Sequence, residues 1–314
     1  MKFKISIALL LVSLLANGVS ILFLVLVINQ SHHISQLKKQ KNEIAHQLNI
    51  VQDSANSKMT PYLAPSRVSR QVFMSHLDNR EDCFAVAPPD PSPVPGGVTL
   101  VVYLHGLGGS FLEPFIYGNP KPIGFSIIEH CPQAVVLSCS YRREKSFGND
   151  EALFDITQNI RHMCQRLPVK KIILFGESMG GMTVLNYGAT APSDIQEKLT
   201  GIVSIEGAGD LAQLFVQTIP GIRVALSNAF GTPTEHPALY QRKSFNYNVH
   251  RLPPRVKVAI ISAIKDIVVP PIQQQEIIAA LKSNNNPCCL IPFDSGHGFP
   301  PESMSLQAFD FANR

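Results

Sequence analysis

Ser178 stands in the run Gly176-Glu177-Ser178-Met179-Gly180, directly after the apolar stretch 171–175 and directly before a segment of helical character. A serine becomes a useful nucleophile only when its hydroxyl is exposed and a base can take its proton. A strand that ends in a tight turn and opens a helix meets the first need. It lifts the hydroxyl over the sheet edge, and glycines on either side let the backbone fold back where a Cβ would collide. The second need points to His297, in Asp294-Ser295-Gly296-His297-Gly298-Phe299 just past the last apolar run. An imidazole titrating near neutrality on a glycine-flanked loop suits a general base. The other nine histidines are less well placed. His32, His33 and His46 lie far upstream, His162 falls within a helix, and His76, His130, His236 and His250 follow no strand end. His105 is assigned to bracing its own loop.

The imidazole in turn needs a carboxylate to fix its tautomer. Asp266, in Lys265-Asp266-Ile267-Val268-Val269-Pro270 after an apolar run, is the first candidate. Its rivals are Glu206, at the end of the preceding strand, and Asp294, which has an alternative role in shaping the turn that holds His297. Acyl transfer places negative charge on the carbonyl oxygen, and two aimed backbone amides stabilise it. The loop His105-Gly106-Leu107-Gly108-Gly109 follows another apolar run and supplies one amide, assigned to Leu107. The residue after the nucleophile, Met179, supplies the other. The chain order Ser, Asp, His is the one expected for such a site.

These residues need a scaffold that brings strand ends together. Continuous apolar, β-branched runs occur at Val98–Leu104, 134–138, 171–175, 201–205, 256–263 and Cys288–Phe293. Runs without polar alternation read as strands buried on both faces. Helical segments lie between or after them at 151–167, Met179–Thr190, 272–282 and 303–312. Such alternation implies crossovers and a mainly parallel sheet flanked by helices, an α/β fold. Two short antiparallel strands are expected at 72–74 and 84–86, with a Pro- and Gly-rich loop at 87–97. Nearly fifty residues, 207–255, separate two strand runs and carry Pro220, Pro233, Pro237, Pro253 and Pro254. An inserted cap over the mouth of the site accounts for them.

Upstream, residues 5–28 form an apolar run long enough to cross a bilayer, preceded by Lys2 and Lys4. An uncleaved anchor is preferred to a signal peptide, because cleavage after 16–18 would leave eight apolar residues on the mature chain. A single-pass membrane protein is expected, and the lysines beside the run favour its globular domain on the extracytoplasmic side. The count of positive charges, with Lys38, Lys39 and Lys41 beyond the run, points the other way. Ile34, Leu37, Ile44, Leu48 and Val51 then repeat at threes and fours, broken by Lys41. This seam is short for a coiled coil, so 29–70 reads as a polar stalk and linker whose pairing with a second chain would be weak. The charge follows the same division. Up to residue 70 there are eight Lys/Arg against two acidic residues, and the remainder holds 19 against 21. A near-neutral domain lacks the basic face of a nucleic-acid binder. The six cysteines show no metal-ligand spacing, and most read as packing residues.

Taken as a set, the motifs around Gly106, Ser178, Asp266 and His297 resemble the α/β-hydrolase superfamily over residues 71–314, on the esterase and prolyl-oligopeptidase-like side. The resemblance implies a metal-independent and cofactor-free serine hydrolase acting through an acyl-enzyme, with a small or polymeric ester as substrate. A serine peptidase is the second expectation, and a membrane-tethered binding or assembly protein without catalysis the third.

Overall fold

The computed structural model describes residues 68–87, 96–118, 120–142 and 146–314. The anchor expected at 5–28 and nearly all of the expected stalk lie outside the described residues. Among the described residues, no helix is long and apolar enough to cross a membrane.

Eight strands form one sheet: β1 (Ser69–Met74), β2 (Glu81–Ala87), β3 (Val98–Leu104), β4 (Ala134–Cys139), β5 (Val169–Glu177), β6 (Leu199–Ile205), β7 (Lys257–Ala263) and β8 (Cys288–Phe293). Their spatial order is β1-β2-β4-β3-β5-β6-β7-β8. The β1–β2 and β2–β4 pairings are antiparallel, and β4 through β8 run parallel. Every residue of β3 and β4 is buried, as expected of strands covered on both faces. β8 departs from that expectation. It is an edge strand with Leu290 38% exposed, and its apolar run had suggested two covered faces. Cys288 is accordingly only half-buried, whereas Cys139 in β4 is fully buried.

The helices are α1 (Glu113–Ile116), α2 (Ile123–His130), α3 (Asp150–Arg166), α4 (Met179–Thr190), α5 (Ser193–Gln196), α6 (Leu211–Gln217), α7 (Pro220–Phe230), α8 (Pro237–Lys243), α9 (Phe245–Asn248), α10 (Ile272–Ser283) and α11 (Glu302–Asn313). A 3₁₀ turn at Val249–Arg251 follows α9. The Asn149 side chain caps α3 by accepting from the Ala152 N–H, with Asp150 and Glu151 in the first turn. α4 is apolar around nearly its whole circumference, and all but its last residue are buried. α2, absent from the sequence expectation, completes the crossover that parallel β3 and β4 require. The stretch 207–255, between β6 and β7, carries the helices α6 to α9.

What positions the site is the register of the strand ends. Leu104 pairs with Gly176, Glu177 with Ile205, Ile205 with Ile261, and Ala263 with Phe293. The C-terminal ends of β3, β5, β6, β7 and β8 therefore finish along one rim. The residues just beyond them, His105, Ser178, Glu206, Asp266 and His297, are delivered to that rim from five strands, where ligands of open α/β sheets bind.

Candidate active site

Ser178 sits between β5 and α4 with φ 51° and ψ −112°, a conformation L-residues seldom adopt. Its N–H donates to Ile205 O at 2.8 Å, which ties the turn to the neighbouring strand. The flanking glycines are required by close backbone approach. A Cβ on Gly176 would lie 2.4 Å from Gly180 O, and one on Gly180 would lie 1.9 Å from Leu104 O. With no side chain in the way, the turn closes against β3 and directs the Ser178 hydroxyl along the rim.

His297 Nε2 lies 2.9 Å from Ser178 Oγ, and its Nδ1 lies 2.7 Å from Asp266 Oδ2. A ring nitrogen beside a carboxylate carries the proton, which leaves Nε2 as the acceptor for the serine hydroxyl. Asp266 is held rigidly, its Oδ1 accepting from Val268 N at 2.7 Å and Val269 N at 2.9 Å. Lys265 N donates to Ser295 O at 2.9 Å, fastening the Asp loop to the His loop. Asp294, one of the two rival acids, points away from the site: it is exposed and pairs with Lys265 at 2.5 Å. The other rival does enter. Glu206 Oε2 is 3.0 Å from His297 Nδ1 and accepts from Gly298 N at 2.8 Å. Burial alone would lower the His297 pKa, but the Glu206 and Asp266 carboxylates overcome it and hold the imidazolium well above its ordinary range.

The loop after β3 lies alongside the nucleophile, since a Cβ on Gly106 would be 3.8 Å from the Ser178 Cβ. His105 braces it, with Nδ1 2.8 Å from Gly106 O and Nε2 3.3 Å from Ser140 O. Tyr141 adds a hydroxyl bond to His105 O. Beneath the loop, Glu113 Oε1 accepts from Tyr103 OH at 2.8 Å and from Gly106 N at 3.1 Å. The Gly106 amide is thereby committed, and Leu107 provides the next one along the loop. Glu113 is a residue the sequence reading missed. So is Glu177 inside the nucleophile motif, which is buried. Burial pushes Glu113 up to about 7, against the pull of the Tyr103 and Gly106 bonds. Burial, with the Glu113 and Glu206 charges nearby, raises Glu177 well above the usual carboxylate range.

Glu206, Asp266 and His297 also bring three potential ligand atoms within 4.8 Å of one another. With the proton on the nitrogen that faces the two carboxylates, these groups form a hydrogen-bonded cluster around an N–H.

A nucleophile turn and a Ser–His–carboxylate line at the C-terminal rim of a mainly parallel sheet define the architecture of an α/β hydrolase. A family model described as alpha/beta hydrolase fold matches residues 99–234. The match and the sheet together show that the chain has the α/β-hydrolase fold. No curated protein matches it. Similar solved structures include a puromycin hydrolase (TM-score 0.64, 17% identity, covering 78% of this chain and 38% of that one). An acylaminoacyl peptidase in complex with Z-Gly-Gly-Phe-chloromethyl ketone gives a TM-score of 0.61 at 15% identity, covering 79% of this chain. This chain thus spans 38% and 42% of the length of those two proteins. The Staphylococcus aureus fluorophosphonate-binding serine hydrolase F (FphF) has a TM-score of 0.58 at 15% identity, with 77% of this chain and 94% of that chain covered. At these identities the likeness is one of fold.

Proposed function

We propose that the protein is a serine hydrolase that cleaves carboxylic esters through an acyl-enzyme. The carrying observation is the unbroken line Asp266–His297–Ser178, closed at 2.7 and 2.9 Å. Ser178 Oγ attacks the carbonyl as its proton passes to His297 Nε2, and Asp266 stabilises the resulting imidazolium. The amides of Leu107 and Met179 receive the developing oxyanion. The imidazolium gives its proton to the departing alcohol, and a water activated by the same nitrogen releases the acid. The inserted helices α6 to α9 stand between β6 and β7, beside the rim, and select the acyl or alcohol group.

A peptidase is the second reading, favoured by the fold likeness to puromycin hydrolase and acylaminoacyl peptidase. The ester reading is kept first as the expectation drawn from the sequence motifs, since this chain matches less than half of the length of either of those two proteins. The proposed setting is a membrane surface, with residues 5–28 as anchor and the hydrolase domain outside the cytoplasm. Labelling with a fluorophosphonate tests the chemistry. Folded wild-type protein should be modified at Ser178 and Ser178→Ala should not, and a folded wild type that stays unlabelled ends the enzyme reading. Comparing p-nitrophenyl esters with aminoacyl anilides then orders the two substrate classes.

A further inference from the structure

The Nδ1 proton of His297 has two carboxylate acceptors within reach, and the proposed triad uses only one of them. Asp266 Oδ2 approaches at 2.7 Å from the end of β7, and Glu206 Oε2 at 3.0 Å from the end of β6. Both side chains are sealed from solvent, at 1% and 0% exposure. Glu206 is held there by its backbone. Its N–H donates to Ile261 O at 2.9 Å, and its φ of 51° turns the chain sharply at the strand end. Gly298 N, next to the histidine, donates to the same oxygen that faces Nδ1. A fully buried carboxylate is costly unless it meets hydrogen bonds or positive charge. Glu206 Oε1 has no hydrogen-bond partner among the described residues, so what offsets its burial is gathered at Oε2.

We propose that Glu206 is a positioning residue, a second acceptor for the Nδ1 proton of His297, so that either carboxylate alone keeps the ring in its working tautomer and orientation. This inference rests on the serine-hydrolase reading above. When Nε2 takes the serine proton, Nδ1 keeps its own, and the positive charge of the ring lies between Asp266 and Glu206. Glu177, from β5, is the third acid that the imidazolium feels. With a single acid behind the histidine, amidation of that acid leaves the wrong tautomer and costs about 10⁴-fold. Here Asp266→Asn leaves Glu206 in place to accept the proton.

The test uses the full chain: wild type, S178A, D266N, E206Q and the D266N/E206Q double variant. Each is assayed for fluorophosphonate labelling rate and for kcat/KM on a p-nitrophenyl ester across pH. Wild-type labelling that S178A abolishes secures the hydrolase reading first. Its absence would sink that reading and leave the roles of the acids undefined for this chain, a result distinct from any below. D266N should lose about 10²-fold and E206Q less than about 5-fold, while the double variant falls by about 10⁴-fold, well beyond the roughly 500-fold product of the single losses. E206Q should also move the acid limb of the profile to lower pH, which a merely structural role would not do. A double variant no worse than the product of the singles, or an acid limb unmoved in E206Q, overturns the proposal. If E206Q does not fold, ¹⁵N NMR of the His297 ring in D266N decides. Retention of the proton on Nδ1 supports the second acceptor, and its transfer to Nε2 overturns it.

Discussion

Replacing Ser178 by glycine removes the hydroxyl and the Cβ together, and the two losses pull in opposite directions. Without the hydroxyl there is no nucleophile. Without the Cβ, the strain of φ 51° and ψ −112° is relieved. A non-glycine residue held in such a region costs about 1–3 kcal/mol. Glycine returns about 0.5–1 kcal/mol of that through the greater freedom of the unfolded chain. Ser178→Ala is the proper reference, because it also lacks the hydroxyl bond to His297 but keeps the Cβ and therefore the strain. The expected balance is that Ser178→Gly exceeds Ser178→Ala in stability by about 1 kcal/mol. For a domain of this size, that corresponds to roughly 2–4 °C in Tm. Differential scanning calorimetry of both variants at one pH measures the difference, with fluorophosphonate labelling absent in each. A glycine variant that melts at or below the alanine variant would refute the claim that strain is stored at the nucleophile.

Gly180→Ala drives a Cβ to within 1.9 Å of Leu104 O, against the main chain of residues 104–105, with no flexible side chain to yield. The turn must shift, and since a displacement near 1 Å can cost about 10²-fold in rate, labelling of the folded variant should fall at least that far. Wild-type labelling would show that the close approach is unimportant. Activity requires a neutral His297, and the two carboxylates raise its pKa despite burial. Turnover should therefore be lost as pH falls through a midpoint above the unperturbed value of about 6.5. An acid limb at or below that value in kcat/KM contradicts the geometry. Glu113 is raised on folding from 4.5 to about 7, so its contribution to stability is complete below about pH 4.5 and is lost as pH rises through about 7. Glu113→Gln should flatten that decline, seen as a smaller difference between urea midpoints at pH 5 and pH 8. An unchanged difference would remove Glu113 as its source.

The rim residues were legible because each follows a distinctive apolar run, and the runs at β3 and β8 end where the sequence alone places them. Ser178, Asp266 and His297 could be picked out from strand end, residue type and chain order. The choice of a single acid could not be, since Glu206 and Asp266 both follow strand ends and only the register of β6 against β7 shows that they converge on one nitrogen. Asp294 was a rival through proximity in sequence, and the turn carries it outward to Lys265. Glu113 carries no periodic signal. It lies seven residues beyond Gly106 on a four-residue helix, and its partner Tyr103 is hidden in an apolar run. β8 misled because an apolar composition does not distinguish a central strand from an edge strand that alternates. α2 was hidden in a loop-like stretch of glycine and proline, although the parallel pairing of β3 and β4 demands a crossover element.

The two glycines Gly181 and Gly207 meet at the root of the inserted helices. A Cβ on Gly207 would lie 2.6 Å from the carbonyl carbon of Gly181, and Gly209 is pinned on either side by Asn246 and Gln273. The stem by which the insertion leaves the sheet is thus welded, main chain to main chain, onto the first turn of the nucleophile's own helix. Any opening that admits substrate has to pivot farther out, beyond Gly209. A shift of the helices beyond Gly209 therefore need not disturb the turn that carries the reacting hydroxyl.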